Sequence, residues 1–470
     1  MAPVVHDLTG LRVLVISSEQ IAERMAGPAI RALNLAQQLD DRGATVTLAV
    51  SAAQPGLADL LPGISLVTFG KPSARGFREL ARGKDVVVTQ PQRVDVGWGL
   101  YRSDARVIYD LYVPTFVETI AHLGAETGDP QVRAQRLEAN RLEYSTALQL
   151  GDAFICASDR QRDLWLGALG EAGRLDLSLI RRDPQTEQLI GIVPFGVSDS
   201  PPPPLSGPGP IHGALVPADA TALLWTGGLW NWFDPLSVLE GLAQARVDDP
   251  NLHLVVMGMR HPDPSWEEQA ASRDLRQRSG ELGLLAPGGG VVLLEGWVPY
   301  AERHRYLLDA DAAVSSHFDT VETRFSFRTR FLDHLWCGLP TFTTPGGELA
   351  EAMIAAGAAE PVAEPVAEGD SAAWARSLRS VALDPGRLAR MSASATSMAD
   401  DYRWSRVTEP LARIVAQQGA SSRTRTTSAP RPSRLDAARY ALLLSRLRVQ
   451  EQGLGSLASG FRRAIHKDGG

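Results

Sequence analysis

Cysteine is nearly absent from this chain of 470 residues: Cys156 and Cys337 stand alone, each in apolar or helical surroundings. Two thiols cannot make a disulfide network or a four-ligand metal site, so a stapled secreted scaffold and a structural zinc domain are excluded and a reducing cytoplasm is expected. No uninterrupted run of about 18 apolar residues occurs, which argues against a membrane-spanning helix. The first residues carry Asp7 and lack a basic stretch followed by an apolar one, so export is not expected either. No strand ends in G-x-G-x-x-G with an acid about 20 residues on, which disfavours a dinucleotide-dependent oxidoreductase. No paired-carboxylate hydrolase signature, Ser-His-Asp arrangement or metal triad emerges, and neither a metal nor a cofactor is expected.

What is present is the balance of an ordinary folded protein, 44% hydrophobic and 21% charged. At roughly 150 residues per domain, the length implies two or three domains, and two is the simpler reading. Charge is unevenly divided. From Ala420 onward ten Lys and Arg face three Asp and Glu, a balance of +7, so the rest of a chain whose net charge is −7 carries −14. An acidic body argues against nucleic acid as a partner.

Short apolar runs alternate with helical periodicity along the chain. RVLVIS (Arg12 to Ser17) reads as a buried parallel strand, followed by a helix starting near Gly27 and Pro28 with Ile30, Leu33, Leu35 and Leu39 on its apolar face. Strands at Thr45 to Val50, Ser65 to Phe69, Asp85 to Gln90, Arg106 to Tyr112, Ala153 to Ser158 and Ile190 to Val197, with a long helix at Val132 to Leu150, complete a first α/β unit. After SDSPPPPLSGPGP (Ser198 to Pro210) the pattern restarts, with strands at Ala222 to Gly228, Leu252 to Gly258, Val291 to Trp297, Asp311 to His317 and Leu339 to Thr344. The expected class is α/β: two Rossmann-like, doubly wound parallel-sheet domains, 1–197 and 213–400, joined by a linker at 198–212. A segment at 401–419, interrupted by Pro410, is expected to cross back to the first domain. A disordered stretch at 420–434 and a basic tail at 435–470 follow. The tail's helix from Leu435 to about Gln452 puts Tyr440, Leu443, Leu444 and Leu447 on one face, suited either to an anionic membrane surface or to packing on the body or a partner.

Open parallel sheets bind ligands beyond the carboxyl ends of their strands, so two facing sheets imply one shared cleft. Gly27, before a helix, permits close backbone approach of a phosphate or acceptor, or simply a tight turn. TGGLWNWF (Thr226 to Phe233) brings Gly227, Gly228, Trp230 and Asn231 to a loop after a strand, where the aromatic faces stack on a base or sugar or else fill a domain interface. Between His317 and Glu351, Glu322, Arg324, Arg328, Arg330 and Asp333 cluster ahead of Gly338 and Pro340. Guanidinium groups suit a diphosphate, because they stay charged and donate paired hydrogen bonds; an exposed helix face laced with ion pairs is the competing reading. Asp110, after a strand, either orients an acceptor hydroxyl or caps a turn.

The run FLDHLWCGLPTFTT resembles a segment of the retaining glycosyltransferases of the GT-B fold, which carry two glutamates eight positions apart before a Gly-x-Pro. That register places the second acid at Asp333, while the first position holds Phe325 and the nearest acid is Glu322. The resemblance spans roughly Leu11 to Gln418. It implies transfer of a sugar from a nucleoside diphosphate to a glycan or lipid-linked acceptor, with retention of configuration and with no metal. It further implies that Gly296, Trp297 and Val298 lie beside the nucleobase. Arg324 and Arg328 stand in for an Arg/Lys pair that the family carries in the first loop of its second domain. Gly258, His317, Ser326 and Phe327 complete the expected donor site, and Asp110, Glu322 and Arg328 are the expected catalytic set. A degenerate, non-catalytic scaffold with the same fold is the alternative.

Overall fold

Val13, Leu14, Val15 and Ile16 are all buried in β1 (Arg12–Ser17), on both faces of the strand, as happens only inside a sheet covered by helices on each side. The computed structural model describes residues 6–54, 56, 61–125, 129–261, 267–362, 369–381, 384–421 and 434–452. Around β1 are arranged β2 (Thr45–Val50), β3 (Ser65–Thr68), β4 (Val86–Thr89), β5 (Arg106–Asp110), β6 (Ala153–Cys156) and β7 (Ile190–Ile192). Their order is β3-β2-β1-β4-β5-β6-β7. A second sheet holds β8 (Thr221–Trp225), β9 (Leu252–Val256), β10 (Val291–Leu293), β11 (Ala312–Ser315), β12 (Thr341–Thr343) and β13 (Ala359–Pro361), in the order β10-β9-β8-β11-β12-β13. Every pairing in both sheets is parallel, as in Val13 against Val46 and Val86, or Leu223 against Leu254 and Ala312.

The strands mostly end earlier than the apolar runs suggest. β7 stops at Ile192 instead of reaching Val197, because Pro194 has no N–H for the ladder. β13 is a strand that periodicity does not announce: Ala-Glu-Pro has no β-branched residue, and Pro361 is tolerated only because the strand lies at the sheet edge. The segment expected as one helix broken at Pro410 is instead a turn at Asp400–Tyr402, a short helix Trp404–Val407 and a helix Glu409–Ala420. Pro410 sits in the first turn of that last helix, where its missing N–H is not needed.

This segment lies against the first sheet. Val197 and Arg403 pair as an isolated bridge, Trp404 packs on Phe195 at 5.0 Å between ring centroids, and Ile414 approaches Gly191 of β7. The terminal helix Arg434–Gln452 rests on the Pro130–Leu150 helix, with Tyr440 and Leu447 buried and Leu443 and Leu444 packed alongside. The Tyr440 hydroxyl donates to Glu143, and Arg439 pairs with Glu138 at 3.0 Å. The apolar face offered to a membrane by the sequence therefore lies on the body. The expectations for 422–433 and 453–470 fall outside the described residues. No helix among the described residues is long and apolar enough to cross a membrane.

Trp404 is 2% exposed and its ring is wedged between Phe195 and the Gly196 backbone. Trp404→Ala is expected to destabilise the first domain by about 3–5 kcal/mol, read as a fall in melting temperature by calorimetry.

Candidate functional site

In an open parallel sheet the strand order reverses at one point, and the loops on either side splay apart to leave a crevice. The reversal falls between β1 and β4 in the first sheet and between β8 and β11 in the second. Loops after β1, β4 and β5 face loops after β8, β9, β10 and β11 across a cavity of about 490 Å³. The halves also touch directly: Arg24 Nε donates to the Trp297 carbonyl at 2.6 Å, and the Tyr300 N–H to the Glu23 carbonyl at 2.8 Å. On the other flank Glu348 accepts from the Asp159 and Arg160 N–H groups at the start of the Asp159–Glu171 helix, at 3.3 and 3.1 Å, and Gln161 donates to the Phe325 carbonyl at 2.9 Å.

On the wall from the second sheet, Gly227 and Gly258 have φ of +70° and +74°, a region that favours glycine. A Cβ on Gly258 would stand 2.9 Å from the Gly227 carbonyl oxygen and 3.1 Å from Trp297 Nε1, so glycine is also what lets these loops meet. Trp230 and Trp232 stack at 5.4 Å, and His261 lies between Trp230 and Trp297 at 6.0 and 5.7 Å, giving this end of the cavity flat aromatic walls. His334, fully buried, touches the hydroxyls of Thr226 at 2.7 Å and Thr341 at 3.0 Å. Burial first, and Arg330 second, pull it down to about 3, so it is a neutral strut for the Thr226 loop.

Three arginines line the same wall, and their partners differ. Arg303 is held by Asp333 at 2.9 Å and stacks on Tyr300. Arg328 is held by both oxygens of the buried Glu322, at 2.8 and 2.6 Å, over the Phe233 ring. Arg330 lies over the rings of Phe233 and Trp225 and donates from Nη2 to the Gly228 carbonyl at 2.7 Å. Its Nη1 is buried without a hydrogen-bond partner, and among the described residues no carboxylate stands within 4.0 Å of its guanidinium. Burial, followed by the adjacent Arg328, lowers its proton affinity well below the ordinary guanidinium range. A buried cation in this position is unfavourable until an anion joins it.

The opposite wall is built by a different ion pair. Arg31, 1% exposed, grips Asp110 at 2.6 and 3.0 Å, donates to the Val193 and Pro194 carbonyls, and lies 4.5 Å from the Tyr112 ring centroid. It thereby joins the ends of β5 and β7 to the Gly27–Asp40 helix. Beside it, Glu118 of the Thr115–Ala125 helix reaches the cavity. Burial and then Glu322 push its carboxyl up to about 8, with Arg328 opposing.

Of the residues singled out in the sequence, Gly27, Gly227, Gly228, Trp230, Gly258, Trp297, Val298, Phe327, Arg328 and Asp333 line the cavity. Gly296 lines a neighbouring recess with Arg24 and Glu302. Asp110 and Glu322 do not line the cavity: each is consumed in a buried ion pair behind the wall. Arg324 is exposed outside it, near Phe325, whereas Arg330 lines it. Asn231 caps the Ala271 N–H, Ser326 donates to the Thr323 carbonyl, and His317 is buried against the Pro345 carbonyl, so these three turn away. Sequence reading passed over Glu118, Arg303 and the pairing of Arg31 with Asp110. For Arg31 and Glu118 the signal was a charge among apolar neighbours on a helix; Arg303, in RHRYLL, carried none. No group of three or more His, Cys, Asp or Glu able to hold a metal occurs among the described residues.

Two Rossmann-like domains sharing a cleft at their switch points make this a protein of the GT-B fold. No family model matches the sequence. A D-inositol 3-phosphate glycosyltransferase of Thermobispora bispora is 29% identical over 204 residues, 43% of this chain and 44% of that protein, so the match spans less than half of either. Among solved structures, Anabaena Alr3699/HepE in complex with UDP-glucose superposes with a TM-score of 0.59 at 14% identity, covering 87% of this chain and all (100%) of that one. Sucrose-phosphate synthase from Thermosynechococcus elongatus gives 0.61 at 17% identity, over 88% and 100%. WaaG, a glycosyltransferase involved in lipopolysaccharide biosynthesis, gives 0.60 at 15% identity, over 86% and 99%.

Glu118 carries a signed prediction. Its carboxyl ionises near 4.5 when unfolded and near 8 when folded, so the native state binds the extra proton between those values and loses stability as pH rises through that window. Glu118→Gln is expected to match the wild type in stability near pH 4.5 and to exceed it at pH 8 by on the order of 1–3 kcal/mol once partial exposure is allowed for, read as a higher melting temperature. Equal melting temperatures at both pH values would contradict the buried, uncompensated carboxyl.

Proposed function

We propose that the chain is a metal-independent glycosyltransferase that moves a sugar from a nucleoside-diphosphate sugar, held by the second domain, to an acceptor entering along the first. The observation that carries this reading is Arg330: a buried guanidinium on the cavity wall with, among the described residues, an unsatisfied Nη1 and no carboxylate partner. A diphosphate supplies the missing negative charge and several acceptor oxygens, and the aromatic end formed by Trp230, Trp232 and Trp297 offers faces to a base. The bound UDP and UDP-glucose named for the HepE complexes agree with such a donor.

As the glycosidic bond breaks, charge accumulates on the departing diphosphate. Fixed guanidinium groups stabilise it there because they need no reorganisation at the moment of reaction. Arg328 contributes through a geometry set by Glu322, and Arg330 contributes net charge. Asp110 acts through Arg31, keeping the acceptor wall in place rather than touching substrate. The cross-domain bonds of Arg24, Tyr300, Glu348 and Gln161 would exclude water from the donor in this closed arrangement. We further read the transfer as retaining, in the cytoplasm and in surface-glycan or glycolipid assembly, as the resemblance implies. Any membrane contact would come from the tail's arginines, since its apolar face is already covered. The phosphorylated compound in the name of the Thermobispora relative is not carried over, because less than half of that protein is matched.

A second reading, a degenerate GT-B protein acting as a binding partner, is favoured by one observation: Glu322 and Asp333 are both tied to arginines. Sugar transfer or donor hydrolysis by the purified chain alone would rule it out.

Thermal stabilisation by UDP, GDP, dTDP and their sugars tests the donor site, since a ligand bound only by the native state raises its melting temperature. Arg330→Met is expected to weaken the best nucleoside diphosphate by roughly tenfold to a hundredfold, the worth of a charge-assisted hydrogen bond, while leaving the free protein at least as stable. Unchanged nucleotide affinity in that variant removes Arg330 from the site and the proposal with it.

A further inference from the structure

The charges on the two walls of the cleft are not symmetrical. Arg303, Arg328 and Arg330 all stand on the wall from the second domain. Among the described residues, the first domain lines the cavity with Glu19, Gln90, Tyr112, Thr115, Glu118 and Thr119, and with no Lys or Arg; His122 is its one side chain able to become cationic. Arg31, just behind this wall, is saturated by Asp110 and two backbone carbonyls and is 1% exposed.

Glu118 has no ion pair or hydrogen bond among the described residues. The charges that act on it, Glu322 and Arg328, are already paired with each other at 2.6 Å. Burial first, and Glu322 second, hold its carboxyl up to about 8, with Arg328 offsetting only part of this. A phosphate or carboxylate brought against this wall would give up its hydration and find no permanent cation in return, His122 being charged only when protonated, and would meet a like charge whenever Glu118 ionises. A neutral hydroxyl compound meets hydroxyl and amide partners instead, and an ammonium group supplies the counter-ion that Glu118 lacks.

We propose that the acceptor half of this cleft selects against anionic acceptors, that Glu118 is the selecting residue, and that an amine-bearing hydroxyl compound is preferred over a phosphorylated one. This rests on the reading that the first domain receives the acceptor and the second the nucleotide.

The test separates the two. The full chain is saturated with whichever of UDP, GDP or dTDP stabilises it, then titrated calorimetrically with glucosamine, glucose and glucose 6-phosphate. Glucosamine is expected to bind at least about tenfold more tightly than glucose 6-phosphate, with glucose between them. Glu118→Gln should bring the three within about threefold of one another, and Glu118→Arg should reverse the order. Glucose 6-phosphate binding as tightly as glucosamine to the wild type, the same ratio persisting in Glu118→Gln, or none of the three binding to the nucleotide-loaded chain overturns the inference. Failure of all three nucleotides to bind would show earlier, and would count against the donor reading.

Discussion

A cation buried without its counter-ion governs how the rest of this molecule has to be understood. Arg330 is removed from water between two aromatic rings, with one neutral carbonyl as acceptor and a second arginine beside it. Folding alone gives no reason to retain such a group, because replacing it by an apolar side chain would relieve the strain. Its neighbours are arranged so that it stays. The Glu322 carboxylate, which could have neutralised it, is oriented with both oxygens onto Arg328. Phe233 lies under both guanidinium groups, and His334, neutral by virtue of burial, fixes the loop whose Gly228 carbonyl accepts from Arg330.

The architecture was legible in the sequence where burial on two faces leaves a mark. VLVI in β1 and LHLVV in β9 are short apolar runs at the right spacing, and such runs arise when helices cover both sides of a parallel sheet. Where a strand is short and lies at an edge, as at Ala359–Pro361, no pattern survives to be seen. Pro410 misled for a related reason: proline reads as an interruption, yet the same residue starts a helix when the chain turns just before it.

The site was legible in its glycines and aromatics and much less so in its charges. Gly227, Gly258 and Trp297 are visible because loop geometry constrains them locally. Charge pairing is set by tertiary placement. Asp110 finds Arg31 across 79 positions, and Arg303 finds Asp333 across 30, so nothing near either residue indicates that it is already engaged. Arg324 and Arg330 are six residues apart in one basic stretch; the turn into the Arg330–Cys337 helix sends one outward and the other under Phe233.

The loops that form the cavity also fasten the two halves together. The backbone from Trp297 to Tyr300 contributes a wall of the chamber and, through Arg24 and Glu23, a seam along its rim. Parting the halves along this rim requires both bonds to that one short stretch to be given up, as those of Glu348 and Gln161 must be on the other flank. The same few backbone atoms thus shape the chamber and close its edge.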